Sequence, residues 1–222
     1  FIGDAAHQLK TPLAGLRTQA ELALQESDAN ELRNSLRHIA SSAERSARMV
    51  SQLLSLARME NLRDAALFER LDLVGLARSV VGEGVPQALE RGIDLGFECE
   101  TGPARLEGLP LLLRELMNNL IDNALRHTPR GGSVTVRVTR HGSAPAAVTL
   151  EVEDTGSGIP EPDQARIFDR FYQVLGSQSQ GSGLGLAIVL EIADQHQAQV
   201  AVTSPVCRDP GAPPGTRFSV RF

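Results

Sequence analysis

No apolar run in this sequence approaches the roughly 20 residues that a bilayer-crossing helix needs. The longest stretches, such as Leu109 to Leu113, are cut at once by Arg114 and Glu115. A basic stripe is also missing. Lys+Arg number 22 against 27 Asp+Glu, a net charge of −5, so nothing is arranged to neutralise phosphates along a duplex, and nucleic acid is not expected as a partner. Cysteine is nearly absent. Cys99 and Cys207 lie far apart with no neighbouring thiol, which excludes a disulfide scaffold and a zinc knuckle and suits a reducing cytosol. No internal repeat, low-complexity tract or signal-like segment occurs. No Met precedes Phe1, so the chain reads as a fragment, with any sensor, signal peptide or membrane anchor expected upstream. What remains is ordinary globular composition, 41% apolar and 22% charged. At 222 residues the length suits two domains, of roughly 65 and 150 residues.

The first segment carries a heptad seam. Ile2, Ala6, Leu9, Leu13, Leu16, Ala20 and Ala23 recur at alternating spacings of four and three. Ser27-Asp28-Ala29-Asn30 breaks it with turn and capping residues. A second seam follows through Leu32, Leu36, Ile39, Ala43, Ser46, Val50, Leu53 and Ala57. Two helices joined by a short turn form an antiparallel hairpin, which alone leaves half of each stripe wet. A second copy packed alongside covers it, so a homodimeric four-helix bundle through residues 1–62 is expected. The alternative is that the stripe packs on the rest of the chain.

Residues 61–72 are polar with little period and read as a linker. Beyond it, Leu71–Val81 reads as helix, Ile93–Cys99 as strand and Leu111–Arg126 as a strongly periodic helix. Ser133–Arg140 and Ala147–Val152 read as strands, and Thr155–Ser182 as a long loop. A helix over Leu184–Gln195 and strands near Gln199–Thr203 and Thr216–Phe222 close the chain. This is an α+β two-layer sandwich.

Several residues in this frame can carry chemistry. His7 stands beside the first seam, since Ala6 and Leu9 take the apolar positions, and is expected on the outer face. Thr11 shares that face, and Pro12 removes the hydrogen bond to the Gln8 carbonyl. Asn119 and Asn123 project from one face of their helix although Asn is a poor interior helix residue, so the pair asks for a polar ligand. Amide carbonyls can bind Mg²⁺ while substrate phosphates supply further oxygens. Arg126 continues the face and can take a phosphate oxygen; a solvated polar face is the plainer explanation. Glu153-Asp154-Thr155-Gly156-Ser157-Gly158-Ile159-Pro160 follows a strand. Its glycines admit close approach of backbone to a ligand, and Asp154 offers an acceptor for an exocyclic amine such as adenine's. An ordinary turn explains the glycine pair equally well. Gly181-Ser182-Gly183-Leu184-Gly185 leads into a helix N-terminus, whose N–H groups and dipole attract phosphate, without matching the Walker or dinucleotide patterns. Between these motifs, Phe168 and Phe171 either anchor a lid or join the core, and Arg170 can meet a terminal phosphate.

The segment Phe1-Ile-Gly-Asp-Ala-Ala-His7-Gln-Leu-Lys-Thr11-Pro12-Leu resembles the phospho-acceptor box of bacterial two-component sensor histidine kinases. The stretch through Asn119 and Asn123 resembles their asparagine box, Asp154–Gly158 the first glycine box, Phe168–Phe171 the phenylalanine box and Gly181–Gly185 the second glycine box. The wording around His7 is similar to the tricarboxylate-sensor branch. The resemblance implies a dimerisation and histidine-phosphotransfer domain over residues 1–66 and a catalytic ATP-binding domain of the Bergerat fold over 67–222. It implies catalytic roles for His7, Gln8, Thr11, Asn119 and Arg170, and Mg²⁺ on Asn123. Nucleotide contacts would come from Asn119, Asn123, Arg126, His127, Asp154, Gly156, Gly158, Ile159, Phe168, Gly181, Ser182, Gly183, Leu184 and Gly185. The γ-phosphoryl of ATP would pass to Nε2 of His7 and on to an aspartate of a response-regulator receiver domain, with Thr11 aiming a water for regulator dephosphorylation. The setting implied is the cytoplasmic portion of an inner-membrane sensor. Two departures stand out. Gln8 occupies a position where most relatives carry an acid, and His196-Gln197-Ala198 replaces a His-Gly-Gly common among them. Two other readings stay open: a Bergerat-fold ATPase that drives conformational change, which generally has Glu where Asn119 stands, and a degenerate kinase serving as a scaffold.

Overall fold

The computed structural model describes residues 2–62, 68–99, 102–142, 147–174, 182–207 and 211–222. The chain divides into two compact units, Phe1–Glu60 and Asn61–Phe222.

The first unit is a helical hairpin of α1 (Ile2–Gln25) and α2 (Ala29–Leu62). Asp28 starts α2: its Oδ1 accepts the backbone N–H groups of Asn30 at 2.8 Å and Glu31 at 3.0 Å, donors that the first helical turn leaves without partners. Ala23, Ser42 and Ser46 are buried between the helices, and the Ser42 hydroxyl donates to Gln19 Oε1 at 3.4 Å. The second seam is only partly covered within one chain. Leu36 is 54% exposed, Val50 41%, and Ala43 between them is exposed as well. The side chains of Ile2, Ala6, Leu9, Leu13, Leu53 and Ala57 lie outside the described residues.

The second unit runs β1 (Glu69–Asp72), α3 (Leu73–Arg91), β2 (Asp94–Cys99), β3 (Arg105–Gly108), α4 (Pro110–His127), β4 (Ser133–His141), β5 (Ala147–Asp154), α5 (Glu161–Gln164), α6 (Gly185–Gln195), β6 (Gln199–Thr203) and β7 (Thr216–Arg221). Its main sheet has the order β2-β4-β5-β7-β6, with β2 parallel to β4 and the other neighbours antiparallel. Strand alternation gives the sheet two unlike faces. Val134, Val136, Val138, Val148, Leu150, Val152, Phe218 and Val220 are buried with Leu116, Met117 and Leu120 of α4 and Ile188 and Ile192 of α6. The opposite face is charged. Arg137 reaches Glu98 at 2.9 Å and Glu151 at 3.3 Å, and Arg217 reaches Glu153 at 2.7 Å, pairs that the strand register sets side by side.

Three expectations need correction. Residues 61–72 are not all linker, because Glu69–Asp72 form β1 and pair antiparallel with β3, a strand absent from the sequence reading. Helix α3 does not stop at Val81. It continues through Gly82, Gly84 and Pro86 to Arg91, because tertiary packing outweighs these breakers. Gly84 makes the close contact possible, since a Cβ there would lie 3.2 Å from Leu95 Cδ2. The loop expected over 155–182 also contains the short helix α5.

At the end of α6 the His196 Nε2 accepts the Leu109 N–H at 3.0 Å, while Nδ1 lies 2.7 Å from the Ile192 carbonyl, so that nitrogen carries the proton. Burial pushes the His196 pKa down, as the neutral ring requires. Gln197 follows at φ +53°, a conformation that costs a side-chain-bearing residue about 1–2 kcal/mol. Gln197→Gly is therefore expected to raise stability. The gain should be only about 0.5–1 kcal/mol, because glycine also frees the unfolded chain. A urea midpoint unchanged or lowered would contradict this.

Candidate functional site

The site is built where β5 ends beside the last turn of α4. Asp154, the final residue of β5, is 4% exposed. Its carboxylate accepts the backbone N–H of Gly156 at 2.8 Å, and the Thr216 N–H lies close by, since Thr216 pairs with Asp154 across the β5–β7 ladder. Burial nevertheless dominates. It pushes the Asp154 pKa from 3.8 up to about 6, with the two N–H groups pulling the other way and Glu153 adding to the rise. A buried carboxylate whose charged form is favoured by nearby backbone N–H groups is an acceptor suited to an incoming donor. Gly156 has no room for a side chain: a Cβ would lie 2.5 Å from the His127 carbonyl and 2.7 Å from Asp154 Oδ1. That closeness shows how tightly the glycine loop abuts the end of α4.

Asn119, Asn123, Arg126 and His127 are all half-buried on α4. Asn119 Nδ2 donates to the Glu115 carbonyl at 2.9 Å, which orients the amide so that its oxygen end is the acceptor presented elsewhere. Burial, and after it the Arg126 charge, lowers the His127 pKa, so this imidazole is neutral at pH 7. Among the described residues no group of three or more His, Cys, Asp or Glu is arranged for a metal. The available donor set is carboxamide oxygen, which suits a hard divalent cation that keeps other oxygen ligands.

The remaining elements frame the loop that follows. Phe168 is half-buried and edge-on to Phe218, with ring centroids 6.3 Å apart, so it joins the core margin. Phe171 is held at φ +66° with its N–H donating to the Gly183 carbonyl at 2.8 Å. Gly183 must be glycine there, because a Cβ would fall 2.6 Å from the Phe171 carbonyl carbon. This clamp joins the two ends of the segment. Gly181 lies outside the described residues. Ser182 Oγ accepts the Leu184 N–H at 3.2 Å, Leu184 is buried, and Gly185 opens α6, whose first turn has no side-chain cap. Arg170 is partly exposed and lies beside Glu191 of α6, Nη2 to Oε2 3.9 Å.

The structure thus brings Asp154, Gly156, Gly158 and Ile159 together with the C-terminal turn of α4. His7, Gln8 and Thr11 lie on α1 of the other unit, and their side chains fall outside the described residues. Sequence reasoning missed Thr216, Ser204, Gln164 and Glu191. Thr216 meets Asp154 only through an antiparallel register between strands far apart in sequence, which no spacing pattern reveals.

Residues 108–222 match the family described as "Histidine kinase-, DNA gyrase B-, and HSP90-like ATPase", and residues 1–62 match the "His Kinase A (phospho-acceptor) domain". The chain is 40% identical over 202 residues to the sensor protein kinase PmrB of Pseudomonas aeruginosa, covering 90% of this chain and 41% of PmrB. The chain therefore spans less than half the length of that relative. Full-length ShkA, solved in complex with AMPPNP, aligns with a TM-score of 0.62 at 26% identity, over 99% of this chain and 44% of that one. Histidine kinase ThkA, solved in complex with response regulator protein TrrA, aligns with a TM-score of 0.73 over 100% of this chain and 60% of that one; at 19% identity this shows the fold alone. These likenesses do not carry the finer tricarboxylate-sensor expectation. They agree with the expected architecture of a helical hairpin followed by an α+β sandwich. The chain accordingly belongs to the histidine kinase-, DNA gyrase B- and HSP90-like ATPase family, and within it to the two-component sensor histidine kinases.

Proposed function

We propose that this chain is the catalytic core of a sensor histidine kinase that phosphorylates its own His7 with ATP and passes the phosphoryl group to a response-regulator aspartate. Asp154 carries the reading: a buried carboxylate, bonded to the Gly156 N–H and abutted by that same glycine, which has no space for a side chain, is matched to a flat base bearing an amine. On this reading Asp154 accepts the adenine amine, and Gly156, Gly158 and Ile159 admit the base. Asn119, Asn123, Arg126 and His127 face the phosphates, with Phe168 and the Ser182–Gly185 turn bounding them and Arg170 meeting the terminal one. Asn119 and Asn123 fit Mg²⁺ through their carboxamide oxygens; bound there it would neutralise phosphate charge and orient the triphosphate.

In the transfer, the bond between the γ-phosphorus and its bridging oxygen breaks and ADP leaves. A bond forms from the lone pair of the unprotonated Nε2 of His7, and the ring proton on Nδ1 is then lost to solvent. Gln8 cannot accept it at neutral pH, so the chain's own contribution is positioning and charge neutralisation. We assign residues 1–66 to dimerisation and phosphotransfer and 67–222 to nucleotide binding. Thr11 would aim a water in dephosphorylating the regulator. The protein would act on the cytoplasmic side of the inner membrane; among the described residues no helix is long and apolar enough to cross a membrane.

Incubation with γ-labelled ATP and Mg²⁺ tests the reading. An acid-labile, alkali-stable label that disappears in His7→Ala is the expected result. Phosphate release without labelling would instead indicate an ATPase, and neither signal would indicate a scaffold.

A further inference from the structure

The two backbone N–H groups that favour the charged form of Asp154 come from different loops. Gly156 belongs to the glycine loop after β5, and Thr216 opens β7 after the loop that follows β6. Something must hold the two loops at a fixed separation. The direct backbone tie is Gly215 N–H to the Gly156 carbonyl, at 3.0 Å. The rest is done by Ser204, in the turn after β6. Its Oγ accepts the Ile159 N–H at 2.8 Å and donates to the Gly215 carbonyl at 2.9 Å, so one hydroxyl joins both loops. A serine hydroxyl has one proton and two lone pairs, which matches one donated and one accepted bond. Gln164, the last residue of α5, adds a second tie: its Nε2 donates to the Ile159 carbonyl at 3.0 Å and to the Ser204 carbonyl at 2.7 Å. Both polar groups of Ile159 are thereby bound, one to each side chain.

We infer that Ser204 and Gln164 are positioning residues for base recognition, fixing the glycine loop against the β7 entrance so that Asp154 meets its ligand in one geometry. This rests on the reading that Asp154 receives the adenine of ATP. Neither residue needs to touch the nucleotide. Removing the Ser204 hydroxyl leaves the half-buried Ile159 N–H and the buried Gly215 carbonyl without this partner, and the loop is held less firmly against Asp154 by its remaining ties. Phosphate contacts on α4 are untouched, so the loss falls on base binding and selectivity and spares the chemical step.

The test is autophosphorylation kinetics and equilibrium ATP titration on the whole chain, with ATP compared against GTP. Ser204→Ala is expected to raise KM and Kd for ATP about tenfold, the size of a lost bond of this kind. Its kcat should change less than about twofold, and the preference for ATP over GTP should shrink. Ser204→Thr, which keeps the hydroxyl, should recover most of the affinity. Gln164→Ala should move the same quantities by a smaller factor, and it decides the matter if Ser204→Ala does not fold. Wild-type-like KM and selectivity in Gln164→Ala and any folded Ser204→Ala would overturn the inference, as would a fall in kcat with KM unmoved. Failure of the unmutated chain to bind ATP would instead remove the functional reading beneath it.

Discussion

Asp154→Asn is expected to weaken ATP binding about a hundredfold while making the nucleotide-free chain more stable. The two effects have opposite signs because they come from different properties of one carboxylate. In binding, its negative charge is what makes it a strong acceptor, and charge-assisted hydrogen bonds are roughly twice as strong as neutral ones. A carboxamide can also turn its NH₂ toward the adenine amine and oppose it. In the empty chain the same charge is a burden, because burial raises the Asp154 pKa from 3.8 to about 6. Between those two values the folded state holds more protons than the unfolded one, so stability falls as pH rises across that window. Above it the buried charge costs the fold on the order of 3 kcal/mol, a cost that Asn does not carry.

Melting curves should therefore show Asp154→Asn more stable than the parent near neutral pH, with the advantage vanishing as the medium is acidified below about pH 4. For the parent, ATP affinity should be highest above about pH 6 and fall as the pH drops through that value, since protonation removes the charged acceptor. A parent affinity that stays level from about pH 5 to about pH 8, together with unchanged binding in the variant, would place the base elsewhere.

The second large effect concerns assembly. Leu36, Ala43 and Val50 repeat once per heptad along one line of α2, and all three are exposed within a single chain. A second copy is the occupant that a heptad stripe of this spacing suits, and the match of residues 1–62 to the phospho-acceptor domain points the same way. Placing charge at the two large positions, Leu36→Lys with Val50→Lys, puts unpaired ammonium groups in the seam. Dimer dissociation should rise by at least about a thousandfold, on the scale of losing two strong interface contacts. Sedimentation at micromolar protein then reads monomer. Leu24→Lys is the control, since Leu24 is 87% exposed near the end of α1 and off that line, and it should leave the dimer intact. A double variant that still sediments as a dimer would move the interface to another surface. Because the proposed nucleotide site lies within the second unit, ATP affinity in the monomeric variant should match the parent.

The local parts of this protein were legible from residue order. The 4-3 seams, the break at Ser27–Asn30 and the helix carrying Asn119 and Asn123 depend on neighbours within a turn or two, where periodicity speaks directly. The glycine runs likewise announced places where backbone must come close to something. Long-range features were hidden for an equally physical reason. Pairing of β1 with β3 joins two four-residue strands, too short for alternation to stand out. The extension of α3 past Pro86 follows from packing that Gly84 permits against Leu95 and Ile121, and propensity alone argues against it.

The candidate site divides in the same way. Asp154, Gly156 and Gly158 could be picked out as a strand-end motif, but Thr216, Ser204 and Gln164 reach that motif from other elements of the fold. Residue order settled which chemical groups are present and in what helical or strand phase, because those are short-range properties. The fold settled which groups lose their water, which loop donates to Asp154 and which part of the α2 stripe stays uncovered. Burial and cross-strand register exist only once distant segments have packed.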